Sequence, residues 1–223
     1  SKITTGNANV ILGRNACNTD NVSGNVCIGY SAGEKIEDSY EIAIGYNALK
    51  SQTTGGDSVA IGFSTLSENI TGNNNIAVGH SALQEVEDGD CNIAIGNQSL
   101  KVAGNNGTVS DYNVAIGHLA GFSVSTGDDN TLIGSKAGDA LTTGSNNIVI
   151  GKEAAASAVG VSNEITLGNT DITKFRIPGL NFVVKDTTAT DNYVLTVDSN
   201  GEAGWEAAQG GTSTGEAYVK YKN

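Results

Sequence analysis

Proline occurs once in the 223 residues, methionine not at all, and aromatic residues make up only 5%. Scarce proline, with glycines that do not recur at every third position, excludes a collagen-like triple helix. Charged residues are few, 16% against roughly 25% in an ordinary globular domain. No apolar run approaches the ~18 residues of a membrane-spanning helix. The start, SKITTGNANV, lacks the basic-then-apolar pattern of a signal peptide. Twelve basic residues face 24 acidic ones, for a formal net charge of −12. That is the wrong sign for a nucleic-acid surface, which needs clustered Lys and Arg, and it suits a soluble, non-sticky exterior. The three cysteines, Cys17, Cys27 and Cys91, are an odd number without metal-ligand spacing, so neither a disulfide framework nor a zinc site is expected. Cys17 and Cys27 fall at repeat positions otherwise held by small or apolar residues and read as packed thiols.

What the chain has in abundance is glycine, 30 residues, with Asn, Thr and β-branched residues, a composition that disfavours a helical bundle. A strand-like apolar triplet followed by glycine recurs at Gly13, Gly29, Gly45, Gly62, Gly79, Gly96, Gly117, Gly134, Gly151 and Gly168. The spacing is 16 or 17 residues, with one gap of 21 between Gly96 and Gly117. The clearest copies read NIAVGHSAL from Asn75, NIAIGNQSL from Asn92 and SVAIGFSTL from Ser58. A unit this short cannot bury its own apolar face, so neighbouring units must stack into a solenoid. Ten coils at ~4.8 Å each would make a rod of roughly 48 Å.

The residue before each glycine is always Leu, Ile or Val, and the residue two earlier is Val or Ile in nine of ten copies, Thr131 being the exception. These two share one face of a strand. The residue between them is usually small: Cys27, Ala43, Ala60, Ala77, Ala94 and Ala115. The strand should therefore be buried on both sides. The expectation is that one face fills the coil and the small-residue face meets another chain. Gly6, Gly55, Gly72, Gly89, Gly127 and Gly144, seven residues before a repeat glycine, mark a turn. Asn9, Asn25, Asn75, Asn92, Asn113, Asn130 and Asn147 share one repeat position and should form a hydrogen-bonded ladder.

After Gly168 the repeat stops. Runs at 174–177, 181–184, 193–197 and 217–221 are β-rich, and Pro178-Gly179 and Asn200-Gly201 are turn signals, the second typical of a tight hairpin. The reading is two parts: a β-solenoid over 1–168 and a C-terminal β-hairpin cap or connector over 169–223. The first carries 7 basic and 17 acidic residues, and so most of the charge excess.

The N-[IV]-A-[IV]-G-x-x-A unit, including SVAIG at Ser58–Gly62, resembles the head repeats of YadA-type trimeric autotransporter adhesins. The resemblance covers about Asn7 to Gly168. It implies a left-handed parallel β-roll in which three chains assemble side by side. The usual unit of that family is shorter than the 17 residues here. YVLTVDSNGEAGWEA, from Tyr193, resembles a segment common in bacteriophage tail fibres. Together the two resemblances imply a homotrimeric virion fibre, assembled in the host cytoplasm and carried as an extracellular appendage. Its partners would be other virion proteins and a glycan or protein receptor on the host surface. The alternative is a bacterial surface adhesin head, for which an export signal and an anchor would be needed. A monomeric ice-binding solenoid would need a flat Thr face, whereas Thr here clusters at turns.

No catalytic constellation, metal site or cofactor is expected, and the chain is not read as an enzyme. GYSAG at Gly29–Gly33 matches the nucleophile-elbow motif G-x-S-x-G, but Ser31 holds a repeat place that elsewhere is Asn, Gln or Leu. Acidic clusters at Glu34/Glu37/Asp38, Glu85/Glu87/Asp88/Asp90 and Asp128/Asp129 lack a calcium-loop pattern and read as solvated turns. A stretch of 11 residues, KVAGNNGTVSD from Lys101, reads as the repeat arm lengthened by four, the kind of insertion that solenoids place on a binding face. Lys101, Asn105, Asn106, Thr108 and Asp111 are the first candidates for receptor contact. Tyr30, Tyr46, Phe63 and His80, each just after a repeat glycine, are the second: exposed rings make sugar platforms, although a stacking ladder that stabilises the rod is the plainer reading.

Overall fold

The computed structural model describes residues 6–19, 22–104, 110–174, 193–197 and 203–207. The chain divides into two units, Ser1–Lys174 and Phe175–Asn223. The first is a β-solenoid of about nine turns. Its strands are three residues long: β1 (Val10–Leu12), β2 (Val26–Ile28), β3 (Ile42–Ile44), β4 (Val59–Ile61), β5 (Ile76–Val78), β6 (Ile93–Ile95), β7 (Val114–Ile116), β8 (Thr131–Ile133), β9 (Ile148–Ile150) and β10 (Ile165–Leu167). They pair parallel in chain order in one sheet. The register is constant, so Ala43, Ala60, Ala77, Ala94 and Ala115 lie one above another. No helix among the described residues is long and apolar enough to cross a membrane.

The strand faces are the reverse of the sequence expectation. The small middle residue points into the coil, and Ala43, Ala60, Ala77, Ala94 and Ala115 are fully buried. The larger pair points outward: Ile61, Ile76, Ile95, Ile116, Ile148 and Ile150 are each 37–39% exposed. The cause is interior volume. Three and four residues after the glycine each coil sends in a further pair, such as Ala48–Leu49 and Ala82–Leu83, also fully buried. With a leucine crossing the interior, only alanine fits on the strand opposite. Where two adjacent coils both lack the leucine, the strand residue between them grows. Coils 7 and 8 carry Gly121 and Gly138 in its place, and β8 carries Leu132. A Cβ on either glycine would lie 2.6 or 2.8 Å from a Leu132 methyl.

The same complementarity explains Cys17 and Cys27. Cys17 stands in the leucine place of coil 1 and Cys27 in the alanine place of coil 2. Both are fully buried and are joined as a disulfide, with Cα atoms 5.9 Å apart. The expectation of packed free thiols is thereby corrected. A separation of 10 residues is not a contact within one strand or turn, but in this period it spans two side chains that face each other across adjacent coils. Cys91 is a free thiol.

Each coil leaves its strand through the repeat glycine, whose φ lies between +130° and +143° from Gly13 to Gly151. Only glycine adopts that conformation readily. It also leaves no room for a side chain: a Cβ on Gly79 would lie 2.4 Å from the Gly96 carbonyl oxygen. The chain then turns with left-handed residues at Ser81 (φ 55°) and Leu83 (φ 49°), and likewise at Asn47 and Leu49. Leucine is rare in this region; burial of its side chain, about 1.5–3 kcal/mol, holds it there.

Two side-chain ladders tie coil to coil. In the asparagine column, the backbone N–H of Asn92 donates to Asn75 Oδ1 (2.9 Å), that of Asn113 to Asn92 Oδ1 (3.0 Å) and that of Asn130 to Asn113 Oδ1 (3.0 Å). This is the ladder the sequence implies. The second lies two residues earlier and runs with opposite polarity. There the N–H of Asn73 donates to Asp90 Oδ1 (2.6 Å), that of Asp90 to Asp111 Oδ1 (2.8 Å) and that of Asp111 to Asp128 Oδ1 (2.9 Å).

In the second unit, β11 (Tyr193–Val197) and β12 (Ala203–Ala207) pair antiparallel, Leu195 opposite Trp205. The Asn200-Gly201 turn and the runs at 175–177, 181–184 and 217–221 lie outside the described residues.

Candidate functional site

Lys101 and Asp111 bracket the lengthened arm but are themselves regular rungs. The N–H of Glu85 donates to the Lys101 carbonyl (2.9 Å), and the N–H of Glu87 to Gly104 (3.2 Å), as in any other coil. Lys101 Nζ pairs with Glu85 Oε1 at 2.9 Å and lies 5.9 Å from the Phe122 ring centroid. Asp111 is the middle carboxylate of the aspartate column, between Asp90 and Asp128. Partial burial, with the neighbouring charges of Asp90, Asp128 and Asp129, pushes its carboxyl above the usual range. The regular stack resumes at Ser110, whose hydroxyl donates to the Gly127 carbonyl (2.8 Å). The extra length is thus confined to residues 105–109, so Asn105, Asn106 and Thr108 lie outside the described residues.

The aromatic row is a continuous stack. Ring centroids are 5.2 Å apart for Tyr30–Tyr46, 5.1 Å for Tyr46–Phe63 and 5.1 Å for Phe63–His80, and the rings are within 12° of parallel. The Arg14 guanidinium covers the outer face of Tyr30 at 5.9 Å. All four rings are exposed, but the faces of Tyr30, Tyr46 and Phe63 are taken up by their neighbours in the stack, which leaves mainly the ring edges to solvent. Stacking of this kind contributes ~0.5–1.5 kcal/mol per pair. A ligand reaching this row would meet ring edges and the tyrosine hydroxyls rather than a flat sugar platform.

Ser31 is buried, has a left-handed φ of 51° and donates its N–H to the Arg14 carbonyl, so it forms part of the ordinary turn. Among the described residues no three His, Cys, Asp or Glu side chains are grouped as a metal ion would require.

Two features were not singled out from the sequence. The first is the outward face of the sheet. It presents two columns of ten residues, Val10 to Ile165 and Leu12 to Leu167, in which nineteen of twenty are aliphatic and none is charged. Monomeric proteins seldom leave such a contiguous apolar face open. The signal lay in the alanine–leucine pair after each glycine, which already fills the coil.

The second is Glu41, fully buried in the asparagine column. Its Oε2 accepts the Ser58 N–H at 3.0 Å, as an asparagine oxygen would, and its Oε1 accepts from Gln52 Nε2 at 2.7 Å. Burial pushes its pKa up from 4.5 to about 8; the Ser58 and Gln52 bonds oppose the rise, and Asp57 and Asp38 add to it.

Comparison of the chain with protein-family models, curated proteins and solved structures finds no match in any of the three. The geometry of the solenoid therefore carries the functional argument.

The folded pKa of Glu41 lies above its unfolded value, so its contribution to stability is greatest below pH 4.5 and falls as pH rises through about 8. Glu41→Gln should remove this dependence. Thermal melts from pH 5 to 9 should show the variant gaining on the native protein with rising pH and levelling above about 8; parallel curves would show that Glu41 does not titrate in this interval.

Proposed function

We propose that the chain is the solenoid segment of a homotrimeric fibre, a left-handed β-roll whose Val/Ile faces meet along a common axis, and that it projects from a virion to contact a host surface. The outward apolar face carries this reading. Two aliphatic columns along ten strands amount to apolar surface on the order of 1,000 Å² per chain, the size of a stable protein interface. Eighteen of its twenty residues are β-branched, stiff side chains that lose little freedom when packed. The number three rests on the resemblance to trimeric adhesin heads. Rigid coils then present each loop in three copies, and multivalency converts weak single contacts into avidity. Residues 101–111 are the first proposed receptor contact and the edges of the aromatic row the second. The acidic exterior keeps nucleic acid from being a partner.

The buried Cys17–Cys27 disulfide supports a second reading, the head of a bacterial surface adhesin. Disulfides form and persist in oxidising compartments, which an exported protein traverses, whereas a cytoplasmically assembled fibre would acquire the bond after release.

Light scattering coupled to size exclusion should give about 68 kDa, three times 22.7 kDa. Ile95→Asp combined with Ile116→Asp should give a 22.7 kDa species with an unchanged far-ultraviolet β spectrum. A native mass of 22.7 kDa would reject self-association through this face.

Deleting residues 105–108 should shorten the arm to the ordinary period and preserve the trimer. Attachment to host cells in a binding assay should fall at least several-fold. Full attachment by the deletion variant would reject this loop as the contact.

A further inference from the structure

The asparagine column has a second task, and at one break inside the stack no side chain takes it over. Besides accepting from the next coil, each asparagine donates Nδ2 to a turn carbonyl: Asn75 to Gly89 (2.6 Å), Asn113 to Gly127 (2.8 Å), Asn130 to Gly144 (2.9 Å) and Asn147 to Val161 (2.7 Å). Each of these carbonyls lies 14 residues further along the chain. Within the stack the column is broken at Glu41 and at Ser58, and it ends on Glu164, whose N–H donates to Asn147 Oδ1.

At the first break the missing donor is replaced. Gln52 Nε2 bridges Glu41 Oε1 (2.7 Å) and the Gly55 carbonyl (2.5 Å). At the second it is not. Ser58 Oγ accepts the Asn75 N–H at 3.2 Å, which completes the first task. The donation to Gly72, fourteen residues on, has no side-chain nitrogen to make it. A carboxamide of three heavy atoms has become a single oxygen, so space is freed beside the Gly72 carbonyl.

Asn69 borders that space. It stands three residues before Gly72, as Gln52 stands three before Gly55, but is one methylene shorter. Its amide lies against Gly72: a Cβ there would be 2.4 Å from Asn69 Nδ2. Asn69 is fully buried, and neither its Nδ2 nor its Oδ1 has a hydrogen-bond partner. In other coils the same interior place is filled by Val86, Val124 or Leu141. A buried amide with both ends unpartnered is rare in native proteins and calls for a polar partner.

We propose that one structural water replaces the missing asparagine amide in this coil, accepting from the Ser58 hydroxyl and Asn69 Nδ2 and donating to the Gly72 carbonyl. Three such bonds are the usual complement of a buried water. Gln52 Oε1, unpartnered in the adjoining coil, is the acceptor for its second proton. Water suits the site better than a metal ion, because the groups that border it are a serine hydroxyl, neutral amides and a backbone carbonyl, and the buried Glu41 carboxyl is already bonded to Gln52 and Ser58.

A crystal structure of the full chain at a resolution that shows ordered water tests this. The expected result is a density peak within about 3.2 Å of both Ser58 Oγ and Asn69 Nδ2. In Ser58→Asn the peak should vanish, the introduced amide should donate to Gly72, and Tm should rise by roughly 2–4 °C. In solution, oxygen-17 water relaxation dispersion should count one long-lived water fewer in Ser58→Asn than in the native protein. Should that variant not fold, Asn69→Val, which copies Val86 and Val124, should lose the same water. A native structure with Asn69 bonded directly to Gly72 or Ser58 and no peak between them would overturn the proposal. So would equal water counts in the native protein and the variant, or a peak with the short coordination distances of a cation.

Discussion

Every feature of the solenoid depends on how closely one coil lies on the next. Parallel strands approach to hydrogen-bonding distance at each level, and the repeat glycines allow the turns to do the same. At Gly79 any side chain would be driven into the carbonyl of Gly96. The glycine φ near +135° then sets the direction in which the chain leaves the strand, and so places the two left-handed residues that follow. With the spacing fixed, identical residues in successive coils stand in contact, and a sequence repeat becomes a set of columns: alanine inside, asparagine and aspartate bonding backbone to side chain, aromatic rings face to face, isoleucine outside.

Columns change what a substitution means. A buried residue is judged against the coil above and below as much as against its own turn. Glu41 is tolerated in a closed interior because its oxygens take over the acceptor role of an asparagine and Gln52 supplies the nitrogen it lacks. Leu132 is tolerated on a strand because Gly121 and Gly138 give up their volume. Cys17 and Cys27 are joined because their two places always touch. These are compensations within a constant cross-section, and they leave the exterior free to vary. The exterior varies little on the strand face, where the aliphatic pair is kept in nine of ten strands, Thr131 being the exception, and that constancy is what argues for a partner there.

The repeat, the strand positions, the all-β class and the asparagine ladder could be read from the sequence, because each is a local spacing that a period makes visible. The direction of the strand faces could not be read from the triplet alone. Val-Ala-Ile is apolar on both sides, and only the volume of the Ala-Leu pair four residues later shows which side has room. The cysteine pairing was hidden for the same reason, since contact between Cys17 and Cys27 depends on the coil and not on their separation. Of the candidate contact residues, the aromatic row emerged as the stack its spacing implies. Lys101 and Asp111 turned out to belong to the regular ladder, where ion pairing and backbone bonds, rather than loop exposure, set their positions.

The most direct test of this account is a double-mutant cycle across one coil interior, with Ala77→Leu, Leu83→Gly and the two together, measured by chemical denaturation. If Ala77 faces inward against Leu83, each single change should destabilise, one by overpacking and the other by a cavity, and the pair should recover about 1–3 kcal/mol of the summed loss. Strictly additive effects, or an Ala77→Leu variant as stable as the native chain, would place residue 77 outside the coil and contradict the inward-alanine, outward-isoleucine arrangement.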